Sequence, residues 1–204
     1  MSGKMIYVIS GPSGCGKSTL IRRVLARLDG VRFSVSHTTR EQRESDVEGK
    51  DYYFVSQDRF LRLVKQKAFV EWAIVHGAYY GTSRRELTKD GNLDVILDID
   101  VQGAAQVRKK VGTAVFIFVL PPSFRELRKR IEKRGLDSAA AIRKRLATAR
   151  KEVRSYTLFD YVVVNDRLET AGRELESILR CRRARLAARR KSLGPILKSF
   201  LGKG

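Results

Sequence analysis

Four short apolar runs recur along the chain, separated by segments whose apolar residues follow a helical period. The runs cover Met5–Ser10, Asp94–Asp100, Ala114–Leu120 and Tyr161–Val164. Runs that are largely apolar and rich in β-branched residues are typical of parallel strands buried on both faces. Helices are predicted over Thr19–Leu28, Val101–Lys110, Phe124–Lys133, about Ser138–Val153 and Leu168 to about Lys191. The alternation predicts an α/β fold with a parallel sheet covered by helices on both faces.

Residues from about 33 to 91 follow a different pattern, with shorter alternating strands and more aromatic side chains. The elements predicted in and around this segment are strands at Val31–Ser36 and Asp51–Val55, a helix at Gln57–Lys67 capped by Ser56, a hairpin of Phe69–Val75 and Ala78–Gly81, and a short helix at Ser83–Lys89. We interpret this part as an insertion that packs beside the core. Near the end of the chain, Gly194-Pro195 is predicted to break the helical pattern.

The turn after the first apolar run has the sequence of a phosphate-binding loop. Gly11-Pro12-Ser13-Gly14-Cys15-Gly16-Lys17-Ser18 matches G-x-x-x-x-G-K-[ST] at every fixed position. In such a loop, successive backbone N–H groups point at phosphate oxygens, and the following helix N-terminus favours negative charge. Lys17 is placed to reach the β- and γ-phosphates, and the Ser18 hydroxyl to hold Mg²⁺. A glycine-rich turn without a ligand is the alternative, and the strand and helix on either side argue against it.

Further charged residues stand where a phosphate-transferring enzyme needs them. Asp98 and Asp100 end the second apolar run, where P-loop proteins place acidic residues near the metal. Arg40 and Arg43 could form a fork for a second phosphate. Glu71, Tyr80 and Thr82 could supply a carboxylate and hydroxyls for a base and a phosphate. Arg130, Arg134 and Arg145 could neutralise charge that develops during phosphoryl transfer.

Composition limits the class of protein. The 204 residues support one domain, and their 43% hydrophobic content is that of a globular chain. No run approaches the ~20 apolar residues that span a bilayer, and Met1–Lys4 leads directly into the first strand, without room for a signal peptide. The two cysteines, Cys15 and Cys181, are far apart in sequence and suggest a reducing compartment. We therefore predict a cytoplasmic protein without a membrane partner.

The formal net charge of +20 is larger than nucleotide binding requires. Nine Lys and Arg residues and no acidic residue lie between Arg180 and Gly204. A basic helix of this kind can bind nucleic acid or anionic lipid, or it can be a solvated tail. The solvated tail is the favoured interpretation. The oligomeric state stays open.

The motifs together resemble the guanylate kinase family of P-loop nucleoside monophosphate kinases, over about Lys4 to Leu186. The residues that carry the resemblance are Gly-Pro-Ser-Gly-x-Gly-Lys-Ser at 11–18, Ser-x-Thr-Thr-Arg at 36–40, Tyr-Tyr-Gly-Thr at 79–82, Leu-Asp-Ile-Asp-x-Gln-Gly at 97–103, Pro-Pro-Ser at 121–123 and Val-Asn-Asp at 164–166. The resemblance implies a parallel five-stranded core sheet flanked by helices, an inserted mixed α/β GMP-binding subdomain and a helical lid. The implied division of the single domain 1–204 is a core at 1–32, 94–124 and 159–190, a GMP-binding part at 33–93, a lid at 125–158 and a basic tail at 191–204.

The resemblance also implies a reaction and residue roles. The reaction is transfer of the γ-phosphoryl group of ATP to GMP, with Mg²⁺ as cofactor; GMP and dGMP are not distinguished. The implied ATP-binding residues are Gly11, Pro12, Ser13, Gly14, Cys15, Gly16, Lys17, Ser18, Thr19 and Asn165, the last near the adenine. The implied GMP-binding residues are Ser36, Arg40, Arg43, Tyr52 and Tyr80 at the phosphate, Glu71, Thr82 and Asp100 at the guanine with a further contact from Ser36, and Asp46 and Asp98. The implied catalytic residues are Lys17, Arg40, Arg130, Arg134 and Arg145, and the implied metal-binding residues are Ser18 and, through water, Asp98.

One position departs from the family pattern. The family usually has Glu in R-x-x-R-x-x-E, where this chain has Asp46, which is one methylene shorter. We expect the arginine that this carboxylate orients to be held less directly or through water, with a modest effect on GMP affinity.

Two alternative functions stay open. A non-catalytic guanylate-kinase-like interaction module usually has a degraded phosphate loop and is fused to other domains. A related kinase of a sugar phosphate such as ribose 1,5-bisphosphate would not need the guanine-reading set of Glu71, Thr82 and Asp100.

Overall fold

The computed structural model describes residues 4–91, 93–133 and 138–202. The strands within these residues are β1 (Ile6–Ser10), β2 (Val31–Phe33), β3 (Ser36–Thr38), β4 (Tyr52–Phe54), β5 (Phe69–Val75), β6 (Ala78–Ser83), β7 (Asp94–Asp98), β8 (Val115–Leu120) and β9 (Tyr161–Val164). The helices are α1 (Lys17–Leu25), α2 (Gln57–Lys65), α3 (Arg84–Thr88), α4 (Val101–Lys110), α5 (Phe124–Lys133), α6 (Ala139–Val153), α7 (Leu168–Ala184) and α8 (Leu186–Leu201).

The core is a five-stranded sheet in the order β2-β7-β1-β8-β9, and every neighbouring pair is parallel. The predicted parallel sheet flanked by helices is therefore confirmed. Because all five strands run in one direction, their carboxyl ends meet at one edge, where ligands of open α/β sheets bind. The phosphate loop leaves β1 at that edge, and Asp98 ends β7 directly beside it.

The central strands β7, β1 and β8 are buried on both faces, as their apolar runs predicted, whereas Val162 and Val164 of β9 are exposed. Side chains alternate between the faces of a strand, so Tyr7 and Ile9 of β1 pack with α1 and α7, including Leu175. Val8 points the other way and packs with α4, including Val107. The side chains of Tyr7, Val8, Ile9, Val107 and Leu175 are all fully buried.

A second, mixed sheet in the order β4-β3-β6-β5 holds most of the insertion. The prediction of one strand over Val31–Ser36 is wrong, because the chain leaves one sheet and enters the other within that run. Phe33 still pairs with Ile96 in the core sheet, whereas Ser36 pairs with Tyr52 in the second sheet. Buried Ser34 and Val35 make the crossing, which an alternating pattern alone cannot distinguish from a continuous strand.

Helices α5 and α6 form a small unit that lies against the phosphate loop. Leu127, Ile131 and Ala149 are buried together between them. Ile131 comes so close to Gly14 that a Cβ atom there would lie 2.9 Å from its Cγ1 atom. The predicted lid region therefore contacts the loop directly.

The last helix, α8, continues through Gly194-Pro195, so the predicted break is wrong. Proline removes one backbone hydrogen bond, but its clash with the preceding residue depends partly on a Cβ atom, which Gly194 lacks. The apolar side chains of α8 are mostly exposed, including Leu197, Phe200 and Leu201. In the part of the chain that the structure describes, no helix is long and apolar enough to cross a membrane.

The contrast between α7 and α8 predicts two different costs for the same substitution. Leu175→Ala should lower the free energy of unfolding by about 2–5 kcal/mol, because it leaves a cavity in the core. Leu197→Ala, at a side chain that is 48% exposed, should change it by no more than about 0.5 kcal/mol. Urea unfolding followed by circular dichroism measures both. A comparable loss for Leu197→Ala would mean that the apolar face of α8 is packed in solution.

Candidate functional site

The phosphate loop has the backbone geometry that anion binding requires. Gly16 has a φ of 95°, in the left-handed region that favours glycine. A Cβ atom at this position would also lie 2.3 Å from the Nδ2 atom of Asn165. That amide donates a hydrogen bond of 2.8 Å to the carbonyl of Cys15 and so fastens the loop to the end of β9. Both the conformation and the space therefore require glycine at position 16.

Lys17 lies at the first residue of α1, and its Nζ atom donates to the Gly11 carbonyl at 2.6 Å. Burial alone would lower the pKa of Lys17, but nearby negative groups outweigh it, so the pKa is raised overall. The carboxylates among these groups are Asp98, Glu152 and Asp100. Lys17 is therefore held as a cation, and an incoming phosphate can replace its carbonyl contact.

Ser18 and Asp98 form an oxygen pair beside Lys17. The Ser18 hydroxyl donates to the Oδ2 atom of Asp98 at 3.1 Å. Burial raises the pKa of Asp98, while Lys17 and the Ser18 hydrogen bond oppose that rise. Mg²⁺ prefers oxygen ligands and is usually held by one or two carboxylates together with substrate phosphates. The hydroxyl oxygen of Ser18 and the carboxylate of Asp98 are ligands of the kind that Mg²⁺ prefers.

Two of the three predicted lid arginines contact the phosphate loop. The Nη1 atom of Arg130 donates to the carbonyl of Asn165 at 3.0 Å, and the carbonyl of Cys15 lies 3.5 Å from the same atom. The Nη2 atom of Arg145 donates to the Ser13 hydroxyl at 2.8 Å. Arg134 lies outside the described residues, and its role stays a prediction.

A cavity of about 330 Å³ opens beside the loop. Its lining combines loop backbone, polar groups and one apolar side chain, and consists of Gly14, Gly16, Thr19, Arg130, Lys133, Asn165, Asp166 and Leu168. The predicted adenine neighbour Asn165 is part of this lining. Its side-chain amide is already used to hold the loop, which the sequence did not indicate.

The second sheet gathers a cationic and aromatic cluster. The guanidinium of Arg40 lies 5.4 Å from the ring centroid of Tyr52, and the rings of Tyr52 and Tyr80 meet edge to face at 5.8 Å. Burial, followed by the nearby charge of Asp98, raises the pKa of the Tyr52 hydroxyl. The cluster therefore lies close to the phosphate-loop edge of the core sheet. Arg43 is exposed, and only its backbone N–H joins the cluster.

Asp46 holds Arg40 directly, so the expectation of a looser or water-mediated contact is wrong. Its Oδ2 atom accepts from the Nη2 atom of Arg40 at 2.9 Å and from the backbone N–H of Arg43 at 2.8 Å. The tight turn from Arg43 to Asp46, closed by a backbone hydrogen bond of 2.9 Å, brings the shorter side chain within reach. Burial would raise the pKa of Asp46, but these partners outweigh it and lower the pKa.

A buried polar pocket forms where β5, β6 and α4 meet. Glu71 is 3% exposed, and its Oε1 atom accepts from the backbone N–H of Thr82 at 2.8 Å. The hydroxyls of Thr82 and Ser36 lie 3.4 Å apart. Burial raises the pKa of Glu71 to about 7, and the nearby charge of Asp100 also raises it. The pocket therefore brings together all four residues predicted to read the base.

Two residues of the site were not assigned a role from the sequence. Gly103 lies so close to Glu71 that a Cβ atom would be 2.4 Å from its Oε2 atom, and its N–H donates to the capping carboxylate of Asp100 at 2.8 Å. The charge of Glu152 on α6 contributes to the raised pKa of Lys17. Gly103 was visible as the last residue of a motif, whereas nothing in the helical pattern distinguished Glu152.

The fold and the site together define a class of protein. A phosphate loop with its lysine and an oxygen pair for a metal lies beside a second cluster that offers an arginine and two tyrosine hydroxyls. Two anions can thus be held close together, with cationic side chains of a lid above one of them. These are the parts of a P-loop kinase that phosphorylates a small phosphorylated acceptor.

Comparisons with known proteins identify the family. The sequence model of the guanylate kinase family matches residues 3–182. A guanylate kinase of Geobacter sulfurreducens is 45% identical over 187 residues, covering 89% of this chain and 92% of the relative. One of Thermotoga maritima is 48% identical over 188 residues, covering 91% and 90%. A crystal structure of guanylate kinase from Anaplasma phagocytophilum superposes with a TM-score of 0.76 and 32% identity over 94% of each chain. The chain belongs to the guanylate kinase family and is an enzyme.

The burial of Glu71 predicts that the free energy of unfolding depends on pH differently in the ligand-free protein and in its Glu71→Gln variant. Because burial raises the pKa of this carboxyl from 4.5 to about 7, the folded protein holds a proton that the unfolded chain releases. The stability that this proton contributes is complete below about pH 4.5 and is lost as the pH rises to about 7, by about 3 kcal/mol in total. Glutamine does not ionise and loses nothing over this range.

Urea unfolding of both proteins between pH 4 and pH 8 measures the effect. The stability of Glu71→Gln relative to the wild type should increase with pH across this window. A difference that stays constant with pH would contradict the burial of an ionisable carboxyl in this pocket.

Proposed function

We propose that the chain transfers the γ-phosphoryl group of ATP to GMP, giving GDP and ADP. The observation that carries the proposal is the pairing of a complete phosphate loop with a buried Glu71 pocket and an Arg40 cluster on the neighbouring sheet. Membership of the guanylate kinase family supports the same activity.

On the donor side, we assign the triphosphate to the loop N–H groups and Lys17. Successive N–H groups and a helix N-terminus bind phosphate oxygens through partial positive charge, in addition to the full charge of Lys17. The cavity bounded by Asn165 and Arg130 is assigned to the adenosine. Arg130 and Arg145, already in contact with the loop, would supply positive charge where the transition state develops negative charge.

On the acceptor side, we assign the phosphate of GMP to Arg40, Tyr52 and Tyr80. Asp46 holds the Arg40 guanidinium in place. The Arg40 side chain therefore loses less conformational entropy when the phosphate binds. The exposed Arg43 side chain is the more mobile partner and is assigned a secondary contact.

The base is assigned to Glu71, with Ser36, Thr82 and Asp100 around it. An ionised carboxylate accepts two hydrogen bonds, and the Watson–Crick edge of guanine offers two adjacent N–H donors. These donors favour the ionised form of Glu71 and would lower its raised pKa on binding. Adenine offers no matching pair of donors, so a bound adenine would leave the buried carboxylate unpaired. Binding of adenine in this pocket is therefore strongly disfavoured.

The chemistry itself needs positioning more than covalent participation, so no nucleophile or dedicated general base is assigned. Ser18 and Asp98 would hold Mg²⁺. A metal ion held there would neutralise negative charge on the phosphates. Lys17, Arg40 and the lid arginines are assigned to align the two phosphates and to exclude water.

The two alternatives find less support. An interaction module has no need for the Lys17 environment or the Ser18 and Asp98 pair, and a sugar-phosphate kinase has no need for a buried Glu71. We assign the basic helix α8 no part in the transfer, since every side chain assigned above comes from another part of the chain. Nucleic-acid binding by this helix is not favoured.

Lys17→Ala should reduce turnover with ATP and GMP by at least about 100-fold, because it removes the charge that follows the transferring phosphate. Coupled ADP release measures the rate. Lys65→Ala, at an exposed position of α2, is the matched control and should keep wild-type turnover. Near-normal turnover of a folded Lys17→Ala protein would overturn the donor assignment.

The acceptor is tested by offering GMP, AMP, CMP, UMP and ribose 1,5-bisphosphate in parallel with ATP and Mg²⁺. The wild type should use GMP well and the others poorly. Glu71→Gln should lower kcat/KM for GMP by about 100-fold, because an N–H group of the buried guanine loses its carboxylate acceptor. KM for ATP should stay unchanged. Equal use of ribose 1,5-bisphosphate, unaffected by Glu71→Gln, would favour the sugar-phosphate alternative instead.

A further inference from the structure

We propose that helix α8 binds the surface of an anionic membrane and lies in the plane of the lipid headgroups. Its 16 residues form a rod of about 24 Å, and an interfacial helix needs no spanning length. The sequence-based prediction of no membrane partner followed from the lack of a spanning segment, which this contact does not require. The contact is separate from the proposed phosphoryl transfer and does not depend on it.

One face of α8 carries a continuous apolar stripe. Its members recur at the i, i+3, i+4, i+7 and i+8 positions that share a helix face, and they are Leu193, Ile196, Leu197, Phe200 and Leu201. Among the described residues, the two most exposed large apolar side chains are Phe200, at 81%, and Leu201, at 78%. The stripe is therefore presented to the surroundings of the protein.

The rest of the described chain does not cover the apolar stripe. None of its members belongs to the three buried apolar clusters of the protein, whereas Leu175 and Leu179 of the neighbouring α7 are fully buried. Contiguous exposed apolar patches are uncommon on soluble proteins and mark interaction sites. A solvated tail, the interpretation favoured from charge alone, leaves this stripe unexplained.

The same helix carries cations that the protein itself does not neutralise. In α7, Arg183 forms a salt bridge with Asp94 at 2.6 Å. Within the described part of the chain, by contrast, no salt bridge joins the exposed side chains of Arg189, Arg190 and Lys198. The segment from 180 to 204 contains no acidic residue that could pair with them locally. These charges are available to an anionic partner.

The arginines and the apolar stripe lie on the same side of α8. Arg189 and Arg190 come four and three residues before Leu193, and side chains at these spacings are neighbours on a helix. Arginine can lay its apolar stem along such a surface while its charged end reaches outward. The partner must therefore offer negative charge directly beside apolar volume.

An anionic lipid surface has this combination, because acyl chains lie directly beneath charged headgroups. A nucleic acid offers phosphates to the arginines, but its backbone has no apolar surface to cover Ile196, Leu197 and Leu201. A second copy of the chain would bring together two segments that each contain nine Lys and Arg residues and no acidic residue. Repulsion between these like charges opposes such a dimer.

The test measures sedimentation of the full chain with lipid vesicles. Vesicles made of equal parts phosphatidylglycerol and phosphatidylcholine should bind the wild type at least about tenfold more tightly than vesicles of phosphatidylcholine alone, because each cation near an anionic surface adds to the affinity. Added salt should weaken binding to the mixed vesicles by screening these charges.

The apolar stripe is tested by the double variant Phe200→Ser with Leu201→Ser. Its binding to the mixed vesicles should fall at least about tenfold, because two side chains lose apolar area that the interface would bury. Leu158→Ser, at an exposed apolar position outside α8, is the control and should bind as the wild type does.

The charges are tested by the double variant Arg189→Gln with Arg190→Gln, whose binding should also fall about tenfold. Arg62→Gln with Lys65→Gln removes the same charge from exposed positions of α2 and should have little effect. Circular dichroism and turnover with ATP and GMP should be those of the wild type in both α8 variants, because the changed side chains are exposed and lie outside the assigned site.

Three outcomes would overturn the proposal. The first is a wild type that does not bind the mixed vesicles, or that binds them equally well with either α8 double variant. The second is binding of a single-stranded RNA, without vesicle binding, that depends on Arg189 and Arg190 but not on Phe200 and Leu201, which would make nucleic acid the partner. The third is a dimer in light scattering, without vesicle binding, that the Phe200 and Leu201 double variant abolishes.

Discussion

The structure depends on keeping one ammonium group charged at the carboxyl edge of a buried sheet. Burial would lower the pKa of Lys17, but nearby negative groups, Asp98 and Asp100 among them, raise it. Parallel strands make this possible, because they bring the end of β1 and the end of β7 to one place although nearly ninety residues separate them. The glycines of the loop allow the backbone to turn tightly enough for its N–H groups to surround the same point. An incoming polyphosphate meets fixed positive groups and therefore needs little rearrangement of the core.

The parts around this centre differ in how firmly they are held. The central strands β7, β1 and β8 of the core sheet are almost entirely buried, whereas the insertion joins the core through the crossing at Ser34 and Val35 and through contacts with α4. The lid touches the loop through a few side chains and a small cluster of its own. Elements with few buried contacts open at lower free energy than the core. The donor site is thus built on the rigid part, and the acceptor pocket and the lid can close on it as their ligands bind.

Sequence reasoning succeeded where a local pattern has a single structural solution. The apolar runs predicted the core strands, and the loop motif predicted a strand, a turn and a helix in that order. It failed where two solutions share one pattern. The run from Val31 to Ser36 reads as one strand but belongs to two sheets, and Gly194-Pro195 reads as a helix end but lies inside α8. The shorter side chain of Asp46 suggested an indirect contact, because the turn that brings it to Arg40 is a property of the loop conformation.

The sequence by itself determined the fold class and the phosphate loop, because these follow from hydrophobic period, glycine positions and local spacing. Only the tertiary structure decided which groups meet. Glu71 has a raised pKa because α4 covers it, with Gly103 leaving just enough room. Asn165 fastens the loop because β9 ends beside it, and Arg145 reaches the loop because α6 folds back over it. Each of these contacts joins residues far apart in the chain, and their approach depends on the packing of whole elements, which no local pattern encodes.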